Sequence, residues 1–225
     1  MPNVSIIIPT LNEAENLPLV LEDIKTVMKA AKQSYELIIV DGYSKDATVE
    51  IAKKAKARVF YDNVGKGSAL RKGMLESRSN VIVMMDADCS HRGIELRLLV
   101  EAIESGYDVC MGSRFIQGGG TADMPVYRRL GNKSFVSIVN AVWSMNYSDL
   151  CYGYRAFSRK AVSALLPLLK SDGFGIETEI SIKSAKLGLR VLEIPSYEKS
   201  RLHGKGNLRS LSDGWKILKT IKKEI

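Results

Sequence analysis

Short apolar runs rich in β-branched residues alternate with amphipathic segments through the first half of the chain. Each run is continuous and bounded by polar or turn residues, as strands buried on both faces of a sheet are. The runs are Val4–Ile8, Leu37–Val40, Arg58–Tyr61 and Val81–Met85. A helix is predicted between the first two, because apolar residues recur there at helical spacing, at Leu17, Val20, Leu21 and Ile24. Two more helices are predicted over Ala47–Lys56 and Ser68–Ser77. This alternation predicts an α/β fold with a doubly wound, mostly parallel sheet.

Asn12, with Glu15 three residues later, predicts a side-chain cap for the first helix of the first half.

The second half of the chain is less regular. Gly118–Gly120 predicts a flexible loop. The helices and the strand predicted beyond it are Pro125–Met145, Arg159–Leu169, Glu177–Leu187 and the strand Arg190–Ile194. No linker-like stretch interrupts the pattern, so residues 1–225 are predicted to form a single domain.

Acidic residues follow three of the predicted strands. Glu13 comes shortly after the first strand, Asp41 directly after the second, and Asp86 and Asp88 after the fourth. Ligands of doubly wound sheets bind beyond the carboxyl ends of the strands. We therefore expect these carboxylates to converge on one edge of one crevice.

The triplet Asp86-Ala87-Asp88 carries the most specific chemistry. Two carboxylates one residue apart can offer oxygen ligands to a hard divalent cation, Mg²⁺ or Mn²⁺. The triplet follows an apolar run, where unpaired carboxylates are costly unless a metal or hydrogen-bond donors compensate them. A cation held there would neutralise charge on a departing diphosphate.

Other motifs restrict the function further. The chain has no G-x-x-x-x-G-K-[ST] sequence, which excludes a P-loop enzyme. Gly65-Lys66-Gly67 lacks the third glycine of a dinucleotide fingerprint, and it is read either as a loop entering a helix or as a loop near bound phosphates. His91 is expected at the surface, with a supporting role beside Asp88 as the alternative.

Composition indicates an ordinary globular protein with a basic excess. Apolar residues make up 45% of the chain, and the formal net charge is +8. Between Lys199 and Lys223 lie eight Lys or Arg residues and one acid, Asp213. This segment is either a solvated tail or a surface for anionic partners, which include lipid headgroups, phosphorylated substrates and nucleic acid. The three cysteines are unpatterned and favour reduced thiols in a reducing compartment. No signal peptide and no membrane span are predicted.

Seven motifs follow one another in a familiar order and spacing over nearly the whole chain. They are PTLNEAENL, VDGYSKDAT, GKGSALRKG, MMDADCSH, GSRF, DLCYGYRAF and SRLHGKGN. Through them the chain resembles family 2 glycosyltransferases of the GT-A fold, and more narrowly the dolichol-phosphate mannose synthases and polyprenyl-phosphate glycosyltransferases. The resemblance implies a Rossmann-like GT-A domain. Residues 1–115 would bind the nucleotide sugar, and residues 116–225 would form the acceptor side with a basic C-terminal helix.

The resemblance also implies the reaction. A sugar would pass, with inversion, from a nucleoside diphosphate donor of the GDP-mannose or UDP-glucose type to a polyprenyl or dolichyl phosphate, with Mg²⁺ or Mn²⁺ as cofactor. The residues that match the nucleotide pocket are Pro9, Leu11, Glu13 and Asp41. Those that match the diphosphate and metal site are Asp86, Ala87, Asp88 and Ser90, with Arg201 on a mobile loop that closes over the diphosphate. Asp88 and Arg201 are the implied catalytic residues, and the acceptor phosphate would be bound by Arg114, Arg129 and Ser134.

A phosphate acceptor also agrees with the residue types present. A phosphate monoester is already ionised near neutral pH, so it needs positioning cations rather than a base. Arg114, Arg128, Arg129 and Lys133 supply such cations. Two alternatives stay open: transfer to a saccharide or protein hydroxyl, with Asp149, Glu177 or Glu179 as base, and a basic nucleic-acid-binding protein. The second is disfavoured, because no recognised binding motif occurs and aromatic residues are only 7%.

A lipid acceptor places the chain at a membrane. We expect a cytoplasmic protein bound peripherally to the cytoplasmic membrane face, directly or through a membrane partner. Two apolar helical stripes could pack in the core or lie at the bilayer surface. They are Phe135, Ile138, Val139 and Val142 in one helix and Trp215, Leu218 and Ile221 in the other.

Overall fold

A computed structural model describes residues 2–122, 124–204 and 210–225. Two of the basic residues counted above, Lys205 and Arg209, lie outside these ranges. The strands are β1 (Val4–Thr10), β2 (Tyr35–Asp41), β3 (Arg58–Tyr61), β4 (Val81–Met84), β5 (Val109–Ser113), β6 (Gly120–Thr121), β7 (Arg155–Ser158), β8 (Val191–Pro195) and β9 (Tyr197–Glu198). The helices are α1 (Leu17–Ala30), α2 (Thr48–Lys54), α3 (Lys66–Glu76), α4 (Gly93–Glu104), α5 (Val126–Trp143), α6 (Arg159–Leu165), α7 (Ile176–Lys186) and α8 (Ser210–Glu224), with a 3-10 turn at Leu166–Leu168.

A seven-stranded sheet organises the chain in the order β3-β2-β1-β4-β7-β5-β8. Its strands are parallel except β7, which runs antiparallel between β4 and β5. Apolar side chains fill both faces, as expected for continuous apolar strands. One layer packs against α1 and α4, and the other against α3 and the helices of the second half. The predicted α/β, mostly parallel, single-domain fold is therefore confirmed.

Sequence patterns missed five elements and misjudged two local features. The elements α4, β5, β6, β7 and β9 were not predicted. Asn12 does not cap α1. Its φ is 56°, its side chain accepts a hydrogen bond from the Lys45 N–H, and α1 begins five residues later, at Leu17. The loop at Gly118–Gly120, which was predicted to be flexible, is closely packed at Gly119 and Gly120, where a side chain would not fit. A Cβ would lie 2.4 Å from the Ser113 carbonyl oxygen at the first and 2.8 Å from the Tyr197 ring at the second.

Candidate active site

The carboxyl ends of β1, β2 and β4 bring the predicted acidic residues to one edge of the sheet. Asp41 ends β2 and is fully buried. It accepts hydrogen bonds from Thr10 Oγ1 (2.9 Å), from Ser44 N (2.7 Å) and from Ser44 Oγ (2.6 Å). Asp41 therefore builds the turn after β2. Pro9 lies half-buried in β1 beside Val40.

An apolar and aromatic surface lies next to this turn. Leu11 is 43% exposed, and its Cδ1 atom lies against the backbone of Gly42. The rings of Tyr43 and Tyr61 are 5.3 Å apart between centroids and exposed. The sequence pattern does not show this pair, because Tyr43 and Tyr61 belong to different strand ends that only the β2–β3 pairing brings together.

Asp86 shares a buried lysine with a carboxylate from the second half of the chain. Lys66 Nζ lies 2.7 Å from Asp86 Oδ1 and 3.0 Å from Glu177 Oε1. Burial disfavours the charged ammonium, but Asp86 and Glu177 outweigh burial and raise the pKa of Lys66 above its ordinary value. Burial likewise raises the pKa of Asp86, but Lys66 and other nearby cations outweigh it and hold the pKa below its ordinary value. Gly153 makes room for the group, since a Cβ there would lie 3.0 Å from Lys66 Nζ.

Gly65-Lys66-Gly67 is thus both a helix entry and part of the site. Lys66 begins α3 and points its ammonium at the Asp86 carboxylate. The helix-entry interpretation is confirmed, and the motif also lies beside the acidic triplet at which the phosphates are predicted. The motif itself could have indicated this role. Glu177 could not be identified as its partner, because the two residues are far apart in sequence.

His91 is buried, so the expectation of a surface histidine is wrong. Its Nδ1 accepts the Asp86 N–H at 3.2 Å, and its Nε2 lies 3.9 Å from Asp86 Oδ2. The ring stacks on Tyr154 at 4.4 Å and meets Tyr152 edge-on at 5.0 Å. Burial lowers the pKa of His91, although Asp86 and Asp88 oppose that change. A neutral imidazole therefore supports the backbone and side chain of Asp86.

Arg201 joins the first and last motifs of the chain. Its Nη2 lies 2.6 Å from both carboxylate oxygens of Glu13, and its Nη1 lies 3.7 Å from Asp88 Oδ2. The backbone around it is tied down as well: Lys199 N donates to Ser90 O (2.9 Å) and Leu202 N to Asp88 O (3.2 Å). We call Lys199–Gly204 the 199–204 segment. It places a guanidinium directly over the predicted diphosphate site.

The acidic triplet fits a divalent cation that shares its coordination shell with a substrate. Ser90 N donates to Asp88 Oδ1 at 3.0 Å, which fixes the second carboxylate, and Ser90 itself is buried, as is Ala87. Four carboxylates and two cations meet here, so their formal charges sum to two negative charges. The carboxylates are Glu13, Asp86, Asp88 and Glu177, and the cations are Lys66 and Arg201. Within the described ranges, no group of three or more His, Cys, Asp or Glu side chains is arranged to hold a metal. In Mg²⁺-type sites, one or two carboxylates and substrate phosphates share the ion.

Arg114, predicted to bind the acceptor phosphate, is buried in a salt-bridge network. Its Nε and Nη2 donate to Asp149 at 2.7 and 2.9 Å, and its Nη1 donates to both oxygens of Glu198 at 3.1 Å. The guanidinium also lies 4.8 Å from the Tyr152 ring centroid. Burial works against the charge, but Asp149 and Glu198 outweigh it and raise the pKa of Arg114. The paired fork to Asp149 is the stronger contact, because each of two nitrogens has its own oxygen.

Arg129 and Ser134 lie on different faces of α5. Asn132 is buried, and its Oδ1 accepts the Leu150 N–H at 3.2 Å, so this face of α5 packs beside the segment that holds Arg114. Arg129 precedes Asn132 by three residues and shares that face, with its side chain exposed. Ser134 follows by two residues and points away, and its hydroxyl donates to the Leu130 carbonyl at 3.0 Å. Arg129 thus lies on the face of α5 that packs beside Leu150, and Ser134 does not.

The two apolar stripes divide between the core and the surface. Phe135 and Val139 of α5 are buried, as is Ile221 of α8. The members left exposed are Ile138, Val142, Trp215 and Leu218. A further apolar group, which neither stripe includes, lies at the start of α5. It consists of Val126, Tyr127 and Leu130, which are 57–72% exposed. No helix among the described residues is long and apolar enough to span a bilayer.

Comparison with known proteins agrees with this geometry. The family model described as glycosyl transferase family 2 matches residues 5–166. Glycosyltransferase AglJ of Haloferax volcanii is 32% identical over 214 residues, covering 94% of this chain and 68% of that protein. A dolichol-phosphate mannosyltransferase of Pyrococcus furiosus is also 32% identical over 214 residues, covering 92% of this chain but 59% of that protein. An undecaprenyl-phosphate mannosyltransferase of Micrococcus luteus is 30% identical over 200 residues, covering 84% and 80%.

Solved structures show the same fold. Glucosyl-3-phosphoglycerate synthase of Mycobacterium tuberculosis, in complex with Mn²⁺, UDP and glucosyl-3-phosphoglycerate, matches with a TM-score of 0.74 and 20% identity, covering 99% of this chain and 80% of that one. The same enzyme with Mg²⁺ and UDP matches with a TM-score of 0.75 and 20% identity, covering 99% of this chain and 79% of that one. The fold, the arrangement of the acidic strand ends and the family match lead to one conclusion: the chain belongs to glycosyl transferase family 2.

Proposed function

We propose that the chain transfers a sugar from a nucleoside diphosphate sugar to a polyprenyl or dolichyl phosphate, with inversion at the anomeric carbon. The observation that carries the choice of acceptor is the state of the nearby carboxylates. A hydroxyl acceptor needs a free carboxylate as base. Asp149 is fully buried in its fork with Arg114, and Glu177 is paired with Lys66. Glu179 accepts the Lys170 and Ser171 N–H groups instead. An ionised phosphate needs none of them.

The donor diphosphate would lie between the acidic triplet and Arg201. Asp86 and Asp88, with Ser90 beside them, would hold Mg²⁺ or Mn²⁺, and the ion would offset the charge of the leaving diphosphate. Arg201 would exchange Glu13 and Asp88 for the donor phosphates, because phosphate oxygens match its fork equally well. Lys66, held by Glu177, adds a second fixed cation at the same edge. Both cations act where charge develops during transfer.

The nucleoside would lie on the surface formed by Leu11 and the tyrosine pair. A flat base can pack on the exposed rings of Tyr43 and Tyr61. Pro9 and Asp41 would shape this pocket through the backbone and the turn after β2. This places most of the donor site in residues 1–115, with Glu177 and Arg201 contributed by the second half.

The acceptor phosphate would bind between Arg114 and α5. Glu198 meets only one nitrogen of Arg114, so phosphate can replace that contact while Asp149 keeps the guanidinium in place. Arg129, exposed on the adjoining face, would supply a second cation. Ser134 stays a prediction from resemblance.

The lipid chain of the acceptor would meet the protein at the start of α5. Val126, Tyr127 and Leu130 are exposed there among Arg128 and Arg129. A helix with large exposed apolar residues and flanking basic residues can lie in a membrane interface. Trp215 and Leu218 of α8, beside Lys219, would extend this surface. We therefore propose peripheral binding at the cytoplasmic membrane face, directly or through a membrane partner.

The test is transfer to a defined acceptor. The protein is incubated with Mg²⁺ or Mn²⁺, an undecaprenyl or dolichyl phosphate, and UDP-glucose or GDP-mannose carrying a labelled sugar, and the lipid is extracted. We expect label in the lipid with at least one donor, and none with Asp88→Ala. Parallel reactions contain a free sugar or a peptide in place of the lipid. Label in those acceptors and none in the lipid would overturn the proposal.

A further inference from the structure

Asn16 occupies a helix-capping position but does not cap the helix. It immediately precedes α1, where an Asn side chain normally accepts a backbone N–H from the second or third helical residue. Here the second residue is Pro18, which has no N–H, and the Leu19 N–H already donates to the Asn16 carbonyl at 3.0 Å. The side chain makes no capping bond. The Asn16 amide is therefore available for hydrogen bonds to other parts of the protein.

The Asn16 side chain bonds instead to both flanks of the Arg201 site. It is 2% exposed. Its Nδ2 donates to Glu13 Oε2 at 2.8 Å and to the His203 carbonyl at 3.1 Å, and its Oδ1 accepts the His203 N–H at 3.1 Å. One amide thus holds the carboxylate that binds Arg201 and the backbone two residues beyond Arg201. An amide is suited to this, since it both donates and accepts.

We propose that Asn16 is a positioning residue that anchors the 199–204 segment over the acidic strand ends. Its effect on transfer rests on the proposed function, in which Arg201 moves from Glu13 to the donor diphosphate. The Arg201 side chain has to change partners in that step, whereas the His203 backbone can stay bound to Asn16. The anchor then keeps the guanidinium within reach while its partner changes. Without the anchor, the described backbone of the segment keeps its bonds at Lys199 and Leu202, and the ion pair of Arg201 with Glu13 is lost once Arg201 moves to the donor phosphates.

The first test measures the anchor without any substrate. Hydrogen–deuterium exchange is followed in a peptide that contains Leu202 and His203, whose N–H groups are both bonded here. We expect Asn16→Ala to speed exchange at these amides about tenfold, since it removes two hydrogen bonds to the segment. Asn12→Gly is the matched control: it removes an asparagine of the same motif that bonds Lys45 instead, and glycine tolerates the φ of 56°. It should leave this exchange unchanged.

A second variant tests whether the effect of Asn16→Ala comes from a folding defect rather than from loss of the anchor. Asn16→Asp keeps the size and capping preference of asparagine, and its oxygens still accept the His203 N–H. It lacks the donor to Glu13 and the His203 carbonyl and adds a negative charge beside Glu13, so we expect exchange faster than in wild type. Wild-type exchange in both variants would overturn the proposal, and so would wild-type exchange in Asn16→Asp alone.

The second test separates positioning from binding. For Asn16→Ala, we expect kcat to fall about tenfold while the affinity for nucleoside diphosphate with Mn²⁺ stays within about twofold, because Asp86 and Asp88 are untouched. Faster exchange with unchanged kcat would mean that Asn16 anchors the segment without positioning Arg201 for transfer, and it would overturn the positioning role. If wild-type protein transfers no sugar to any acceptor, the proposed function fails, and the exchange measurement still decides whether Asn16 anchors the segment.

Discussion

Replacing Lys66 by methionine removes a buried cation that two carboxylates share. The Lys66 side chain is 17% exposed, that of Glu177 is 3% exposed and that of Asp86 is 29% exposed. Methionine keeps most of the volume and loses the charge. Asp86 and Glu177 then face each other without the cation that lies between them, at an edge of the protein that water reaches only in part.

The expected loss of stability follows from these exposures. Removing one partner of a buried ion pair costs about 3–5 kcal/mol. Because Asp86 is partly exposed, water compensates some of its charge, and we expect the free energy of unfolding to fall by about 2–3 kcal/mol. The double variant Lys66→Met/Glu177→Gln removes the uncompensated buried carboxylate as well. It should recover about half of that loss, as expected for two residues that act as a pair.

The pH dependence provides a check on the assignment. The pKa of Asp86 lies below its ordinary value of 3.8 in the folded protein, so its stabilising contribution is present above pH 3.8 and is lost as pH falls through the lowered pKa. The pKa of Lys66 lies above its ordinary value of 10.5, so its contribution is present below pH 10.5 and is lost as pH rises through the raised pKa. The difference between wild type and Lys66→Met should therefore be constant between these values and shrink in acid.

Urea denaturation at pH 7 and across the acid range measures the free energy of unfolding of wild type, Lys66→Met and the double variant. Mn²⁺ gives an independent reading, because it can compensate Asp86 in the variant. We expect it to raise the Tm of Lys66→Met more than that of wild type. A loss of stability below about 0.5 kcal/mol, the value typical of neutral surface substitutions, would refute the reasoning. So would a double variant less stable than the single one.

Three further predictions concern the proposed site and surface. Asp88→Ala should abolish Mn²⁺-dependent binding of nucleoside diphosphate in calorimetric titration, because the cation loses a charged ligand; unchanged affinity in a folded variant would contradict the metal assignment. Arg201→Ala should lower kcat about 10²-fold with a much smaller change in donor KM, because Arg201 stabilises charge that develops during transfer. Steady-state kinetics that show wild-type kcat with only a raised KM would argue against this role. Val126→Asp with Leu130→Asp should weaken co-sedimentation with anionic vesicles, whereas Leu75→Asp, on the equally exposed side chain of α3, should not; equal binding by all proteins would place the membrane contact elsewhere.

The sequence alone determined the elements whose signal is local. Continuous apolar runs predicted β1 to β4, because a strand buried on both faces has to be apolar throughout. The acidic positions were predicted at one sheet edge, because parallel strands end on the same side. Where local patterns carried little signal, the prediction failed. The strand β7, with the sequence RAFS, is four residues long and begins with a buried arginine, so its hydrophobic pattern does not mark it as a central strand.

The tertiary structure alone decided which side chains share a contact. Lys66 meets Glu177, and Arg114 meets Asp149, only because the sheet order places distant segments side by side. The same holds for burial on α5, where Phe135 is covered by the core and Leu130 is left exposed. Periodicity reports that a helix has an apolar side, but the neighbouring elements determine how much of that side is covered. Pairing and burial depend on residues that are far apart in the chain, so a local sequence pattern cannot predict which side chains pair or become buried.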